Sequence, residues 1–194
     1  MGQQVRKMKT CVFITGTNCT GKTSVARELI RLFGGVLRED NAGDGAIISV
    51  MRDERVVFAG RYEGVKFGGV DYLNATSVLP ALIAYSFFDH EVFVAEGSYL
   101  DTFGPNLTGT MFQAQARLVV CLYADAETLR WRVLTRGGKG LTASILKKQR
   151  RVLNNAKKYQ KHGCTAICFD TRRMDYREIA REIHKWITKT TNNG

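Results

Sequence analysis

Near the N-terminus the run Ile14-Thr15-Gly16-Thr17-Asn18-Cys19-Thr20-Gly21-Lys22-Thr23 has the residue types and spacing needed to hold a chain of phosphates. Gly16 and Gly21 let the backbone curl tightly enough for successive amides to face the β-phosphate. Lys22 follows within reach of the β and γ oxygens, and the Thr23 hydroxyl is a ligand for Mg²⁺. Thr17, Asn18, Cys19 and Thr20 supply the intervening backbone, with Cys19 read as filler in a variable position. Such a loop seats its anion on the N-terminus of the following helix. The implied chemistry is binding of a nucleoside triphosphate together with Mg²⁺.

The elements that must position this loop flank it in the right order. Cys11-Val12-Phe13-Ile14 reads as a buried strand, and Val25, Ala26, Leu29, Ile30 and Phe33 recur at helical spacing until Gly34-Gly35 stops them. A second strand is expected near Val36 to Glu39, a β-hairpin over Ala46 to Met51 and Arg55 to Gly60, and a helix over Ser77 to Phe88. Strands follow at Glu91 to Glu96, Arg117 to Tyr123 and Thr165 to Asp170. Helices are expected at Asp125 to Arg136, Thr142 to Lys161 and Tyr176 to Ile187, with Ile145, Leu146, Val152, Leu153 and Ala156 on the buried side of the second of these. This alternation predicts an α/β three-layer sandwich with a central parallel sheet, helices on both faces and a small inserted β-hairpin. One domain over residues 1–194 is expected.

Composition limits the alternatives. The chain has 194 residues, 44% of them hydrophobic, enough for one sizeable core. No apolar run is long enough to cross a bilayer, and Met1 to Lys9 lacks the pattern of a signal peptide, so a soluble, cytoplasmic protein without a membrane partner is expected. The five cysteines are odd in number and include no CxxC, which points away from a disulfide framework or a zinc site. The formal charge is +11, and between Glu127 and Asp170 there is no acidic residue while lysines and arginines are frequent. That excess fits a polyanionic partner such as DNA, or a solvated helix face. Oligomeric state is left open.

Among proteins with such a loop, a signalling GTPase is disfavoured because no NKxD-type segment follows a later strand. A motor ATPase is disfavoured because Val92-Phe93-Val94-Ala95 ends in the single acid Glu96. Arg132 and Arg136, four apart on one helix face before a Gly/Lys loop, resemble the lid arginines of nucleotide and nucleoside kinases, which neutralise charge on the transferring phosphoryl group. Arg172 or Arg173, after the last strand, is placed to stack on the adenine, or to serve as an ordinary loop residue. An acceptor hydroxyl needs a carboxylate, and sites in parallel sheets lie beyond the strands' carboxyl ends. That selects Asp40 as base and Glu96 as organiser of the metal and its water, with Asp44 and Asp71 in reserve. Arg61, Tyr62, Phe67, Gly69 and Asp71 combine aromatics, a cation, glycine and an acid in one loop suited to reading a base; Tyr62 and Phe67 alternatively pack on the core.

Taken together, Thr23, Arg61-Tyr62, Gly68-Gly69-Val70-Asp71, Glu96-Gly97 and the lid arginines resemble phage-encoded relatives of thymidylate kinase that phosphorylate 5-hydroxymethyluracil within DNA, a step of thymidine hypermodification. The resemblance spans most of the chain. It implies an α/β sandwich of the P-loop kinase type with a helical lid at about 130–142, ATP and Mg²⁺ as cofactors, DNA containing a modified pyrimidine as substrate, and the host cytoplasm as location. Glu96-Gly97-Ser98-Tyr99 stands where thymidylate kinases carry an Asp-Arg pair, a departure that argues against a mononucleotide acceptor. A deoxynucleoside or nucleotide monophosphate kinase and a DNA-binding P-loop ATPase are the alternatives. A base inside a duplex must be flipped or single-stranded to reach the γ-phosphate, with Tyr62, Phe67 and Tyr99 as stacking groups.

Overall fold

The computed structural model describes residues 10–41, 46–65, 68–69, 82–83, 86, 89–98, 100, 111–140 and 142–192. Strand β1 (Thr10–Gly16) is buried along its whole length, as expected of an apolar strand covered on both faces. It leads through the phosphate loop into α1 (Lys22–Leu32). Then come β2 (Val36–Asn41), β3 (Ile47–Met51), β4 (Val56–Ala59), β5 (Val92–Glu96), β6 (Ala116–Tyr123), α2 (Ala126–Thr135), α3 (Ala143–Lys161), β7 (Thr165–Asp170) and α4 (Tyr176–Asn192). The expected helix over Ser77 to Phe88 lies mostly outside the described residues.

The seven strands form one sheet in the order β2-β3-β4-β5-β1-β6-β7. All neighbours from β4 to β7 run parallel, and β3 alone is antiparallel to β2 and β4. The hairpin is therefore part of the sheet. Its strands are too apolar for an appendage: every residue of β4 and all but the first of β3 are buried. Consequently β4, not β2, lies beside β5, and among the described residues β2 is the edge of the sheet. Asp40, inside β2 and paired in register with Ile48, stands three strand spacings from β5, about 14 Å in a flat sheet.

Alternation along β1 divides the core. Cys11 and Phe13 join Val50, Val57, Val119, Val152, Ala156 and Tyr159 under α3, whereas Val12 and Ile14 join Leu29, Phe58, Val120, Ile179 and Ile183 under α1 and α4. Burying each of Leu29, Ile179 and Ile183 contributes about 1.5–3 kcal/mol relative to leaving it exposed. On α3 the buried side is Val152, Asn155, Ala156 and Tyr159. Ile145, Leu146 and Leu153 are only half-buried, because the first half of that helix leaves the sheet to meet the phosphate loop.

Helix starts are fixed chemically. Asp125 accepts from the Thr128 amide at 2.7 Å to cap α2. At α4, Asp175 accepts from the Arg177 and Glu178 amides at 2.7 and 2.9 Å while Glu178 accepts from the Asp175 amide at 2.9 Å, a reciprocal capping box. Among the described residues no side chain caps helix α1, whose first amides are the kind of donors that receive an anion.

Candidate active site

Five residues, Thr17 to Gly21, separate the end of β1 from α1, and close backbone approach shapes the bend. A β-carbon on Gly16 would fall 2.5 Å from Thr20 Oγ1 and 2.7 Å from the Leu122 carbonyl oxygen, so only glycine fits there. Cys19 takes a left-handed backbone at φ 65°, a conformation that costs a non-glycine residue about 1–2 kcal/mol. Its position is thus a strained turn of the loop. The Thr17 carbonyl accepts from Thr20 Oγ1 at 2.8 Å and from Lys22 Nζ at 3.2 Å, and Thr17 Oγ1 donates to the Ile145 carbonyl at 3.3 Å. Thr17, Thr20 and Lys22 are all buried. The loop's cation is folded onto the loop's own backbone, at the base of the cradle that Asn18 and Gly21 help to line.

The strand order brings Glu96 to this loop. Gly97 N donates to the Ile14 carbonyl at 3.1 Å, tying the end of β5 to β1. Thr23 Oγ1 then donates to Glu96 Oε1 at 2.9 Å, with the carboxylate side chain buried. A hydroxyl and a carboxylate so placed are hard oxygen ligands, the donor type that Mg²⁺ uses alongside substrate phosphates. Gly69 lies against Glu96, Gly60 lies against Gly69, and Ser49 Oγ donates to the Gly60 carbonyl at 2.7 Å. Arg27, on the second turn of α1, donates to the carbonyls of Tyr62 and Val65 and so pins this loop to the helix that begins at the phosphate loop.

Other expectations are redirected. Asp40 is not brought to the phosphate loop: it accepts from Arg38 Nε at 3.0 and 3.1 Å on the outer strand. Arg61 pairs with Glu39 of that strand at 2.8 Å. Tyr62 is 4% exposed and packs edge-on against Phe58, its ring centroid 5.7 Å away, so it belongs to the core and offers no stacking surface. Arg172 is occupied by Asp170 and by Asp125 Oδ2 at 2.7 Å and does not line the cavity beside the loop. Its guanidinium pulls the Asp170 carboxyl down to about 2, while Asp125 is lowered first by the Thr128 amide it caps and then by Arg172. Phe67, Asp71, Tyr99 and Asp44 lie outside the described residues.

The two lid arginines have different partners. Arg132 donates to Thr171 Oγ1 at 2.7 Å, to the Thr171 carbonyl at 2.8 Å and to the Cys19 carbonyl at 3.4 Å, joining α2, the phosphate loop and the β7–α4 connection. Arg136, exposed at the end of α2, lines two cavities that meet at the loop. One, of about 250 Å³, is bounded by Ser24, Arg132, Met174, Tyr176 and Ile179. The other, of about 420 Å³, is bounded by Lys22, Thr23, Gly68, Gly138 and Ile145. Met174, Tyr176 and Ile179 escaped the sequence reading. The signal for them was Asp175-x-x-Glu178, which starts α4 at Tyr176 and sets Ile179 one turn on.

No protein-family model matches the sequence, and no curated protein aligns with it. Solved structures do share its architecture. The YorR protein of Bacillus subtilis, in complex with phosphorylated GDP, superposes with a TM-score of 0.56 at 18% identity, over 95% of this chain and 98% of that one. Shikimate kinase from Acinetobacter baumannii, in complex with shikimate, superposes with a TM-score of 0.50 at 17% identity, over 95% of each chain. At such identities the likeness establishes the fold, an α/β sandwich of the P-loop kinase type.

Proposed function

We propose that this chain is an ATP-dependent phosphotransferase that moves the γ-phosphate of ATP to the hydroxymethyl group of 5-hydroxymethyluracil in DNA. The observation that carries the reading is the Thr23–Glu96 hydrogen bond under Gly69. It sets a buried carboxylate beside the last residue of the phosphate loop, where an alcohol must be oriented and where water-only chemistry would need no second cavity. The identity of the acceptor rests on the resemblance in Arg61-Tyr62, Gly68-Gly69-Val70-Asp71 and Glu96-Gly97, and the net charge of +11 is compatible with a polymeric anion.

In this reading the 250 Å³ cavity takes the nucleoside, with Tyr176 and Met174 against the base, and the 420 Å³ cavity takes the acceptor. Lys22 leaves the Thr17 carbonyl to meet the β and γ oxygens, and Arg136 neutralises charge on the transferring group. Thr23 and Glu96 would hold Mg²⁺, which when bound offsets the negative charge of the β- and γ-phosphates. The bond from the γ-phosphorus to its bridging oxygen breaks, the electron pair stays with ADP, and the hydroxymethyl oxygen forms the new bond to phosphorus. The hydroxyl proton passes to the carboxylate of Glu96, a role this reading gives it in place of Asp40 because Glu96 is hydrogen-bonded to Thr23 and Asp40 lies on the outer strand.

Incubation with γ-labelled ATP and hydroxymethyluracil-containing DNA, plain DNA, or free nucleosides and nucleotides tests the proposal, with Lys22→Ala as the inactive control. Label in the modified polymer alone is expected. Label in monomers makes the protein a nucleotide kinase, and DNA-stimulated release of free phosphate makes it an ATPase.

A further inference from the structure

A third cavity borders the phosphate loop on the α3 side. It measures about 440 Å³ and is lined by Thr17, Asn18, Ser144, Lys147, Lys148 and Arg151. Asn18 and Ile145 wall both this cleft and the 420 Å³ acceptor cavity, so the two volumes adjoin. The Thr17–Ile145 hydrogen bond fixes the start of α3 over the loop and sets the distance between them.

The cations of α3 are not spread evenly. At 3.6 residues per turn, Ser144, Lys147, Lys148, Arg151 and Lys158 fall within about 100° of arc. This stripe lies next to the apolar side formed by Val152, Ala156 and Tyr159. Arg150, Lys157 and Lys161 project from a different sector. From Lys147 to Lys158 the stripe runs about 16 Å, comparable to about five base steps of one DNA strand. A single phosphate would need only one or two of these cations. No acidic residue occurs between Glu127 and Asp170, so this segment contributes positive charge alone.

We propose that this cleft and the stripe leading from it bind the phosphodiester backbone of DNA, delivering a base into the adjoining acceptor cavity. The inference rests on the DNA-kinase reading for its occupant, but the binding itself requires no phosphoryl transfer. A strand lying along α3 passes Asn18, from which a flipped or single-stranded base reaches the loop.

The test is a fluorescence-anisotropy titration with a labelled plain oligonucleotide lacking any hydroxymethyl group, at several salt concentrations. The stripe variant Lys147→Glu/Lys148→Glu/Arg151→Glu is compared with the control Arg150→Glu/Lys157→Glu/Lys161→Glu, which changes the net charge equally. The stripe variant is expected to bind about tenfold more weakly or worse and to lose about 2 units of the slope of log affinity against log salt, with the control clearly less affected. Thermal melting and binding of a fluorescent ATP analogue verify that each variant is folded. If the triple stripe variant does not fold, Lys147→Gln and Arg151→Gln are compared singly with Lys157→Gln. Equal losses in both sets, no loss in either, or an unmodified protein that does not bind the oligonucleotide overturns the proposal. Backbone binding through the stripe without label transfer would sink only the assigned activity. Transfer to modified DNA with equal losses in both sets would sink only the stripe.

Discussion

Gly69 and Glu96 are packed so closely that a β-carbon on Gly69 would lie 2.3 Å from the Glu96 carbonyl oxygen and 2.7 Å from its carboxyl carbon. Gly69 also sits at φ 70°, in left-handed backbone. Any side chain there must push Glu96 away from Thr23. Gly69→Ala is therefore expected to lower kcat by about 10²-fold, the loss that a displacement of about 1 Å brings, with little change in affinity for an ATP analogue. Wild-type kcat in that variant shows that Gly69 does not position the acid.

Glu96 and Asp40 separate cleanly by substitution. Glu96→Gln keeps the shape and removes the charge, and it is expected to reduce transfer by about 10²–10⁴-fold if the group handles the proton. Asp40→Asn alters an edge-strand carboxylate and should leave transfer within about twofold, the range of a surface substitution. Steady-state rates with the modified oligonucleotide decide; a large loss only in the Asp40 variant reverses the assignment.

The lid arginines should fail in different assays. Removing Arg132 unties Thr171 and Cys19, so Arg132→Ala is expected to lower Tm by about 2–4 °C and to weaken nucleotide binding. Arg136→Ala should leave Tm unchanged and depress kcat by about 10-fold or more. Melting curves and single-turnover rates measured together show whether the roles divide this way.

Acid should weaken the Asp170–Arg172–Asp125 network. Arg172 holds Asp170 at about 2, below the ordinary value of about 3.9. The contribution is thus fully present above the ordinary value and is lost as pH falls toward 2. The Tm difference between the wild type and Asp170→Asn is expected to be constant above about pH 5 and to shrink between about pH 4 and pH 2. A gap that persists unchanged through that window assigns the aspartate's effect to packing instead of charge.

The phosphate loop and its flanking strand and helix were legible because each step there is local: glycines at fixed spacing, an apolar strand, then helical periodicity. Glu96 was legible too, since it directly ends an apolar strand. Asp40 was misplaced because strand order is a long-range property. Nothing within Val36 to Asn41 shows that the later hairpin will insert β4 next to β5. For Tyr62 and Arg172 the structure matches the second of the two readings the sequence left open, core packing and an ordinary loop pairing, because an aromatic or a guanidinium in a loop reads as available until Phe58 or Asp125 occupies it. The base-side wall at Met174, Tyr176 and Ile179 is assembled from a helix start whose capping box is visible, but which cavity it faces depends on how α4 packs against α1.

The exclusion of β2 from the interior also accounts for its charges. Arg38, Glu39 and Asp40 occupy consecutive positions on the strand that ends the sheet among the described residues, the position at which a sheet is open to strand addition from a second molecule. A foreign strand docking there would have to bury ions of both signs. The carboxylate that looked like chemistry belongs to a charge cluster of the kind that discourages edge-to-edge pairing, and neutralising this trio is expected to cost solubility before it costs turnover.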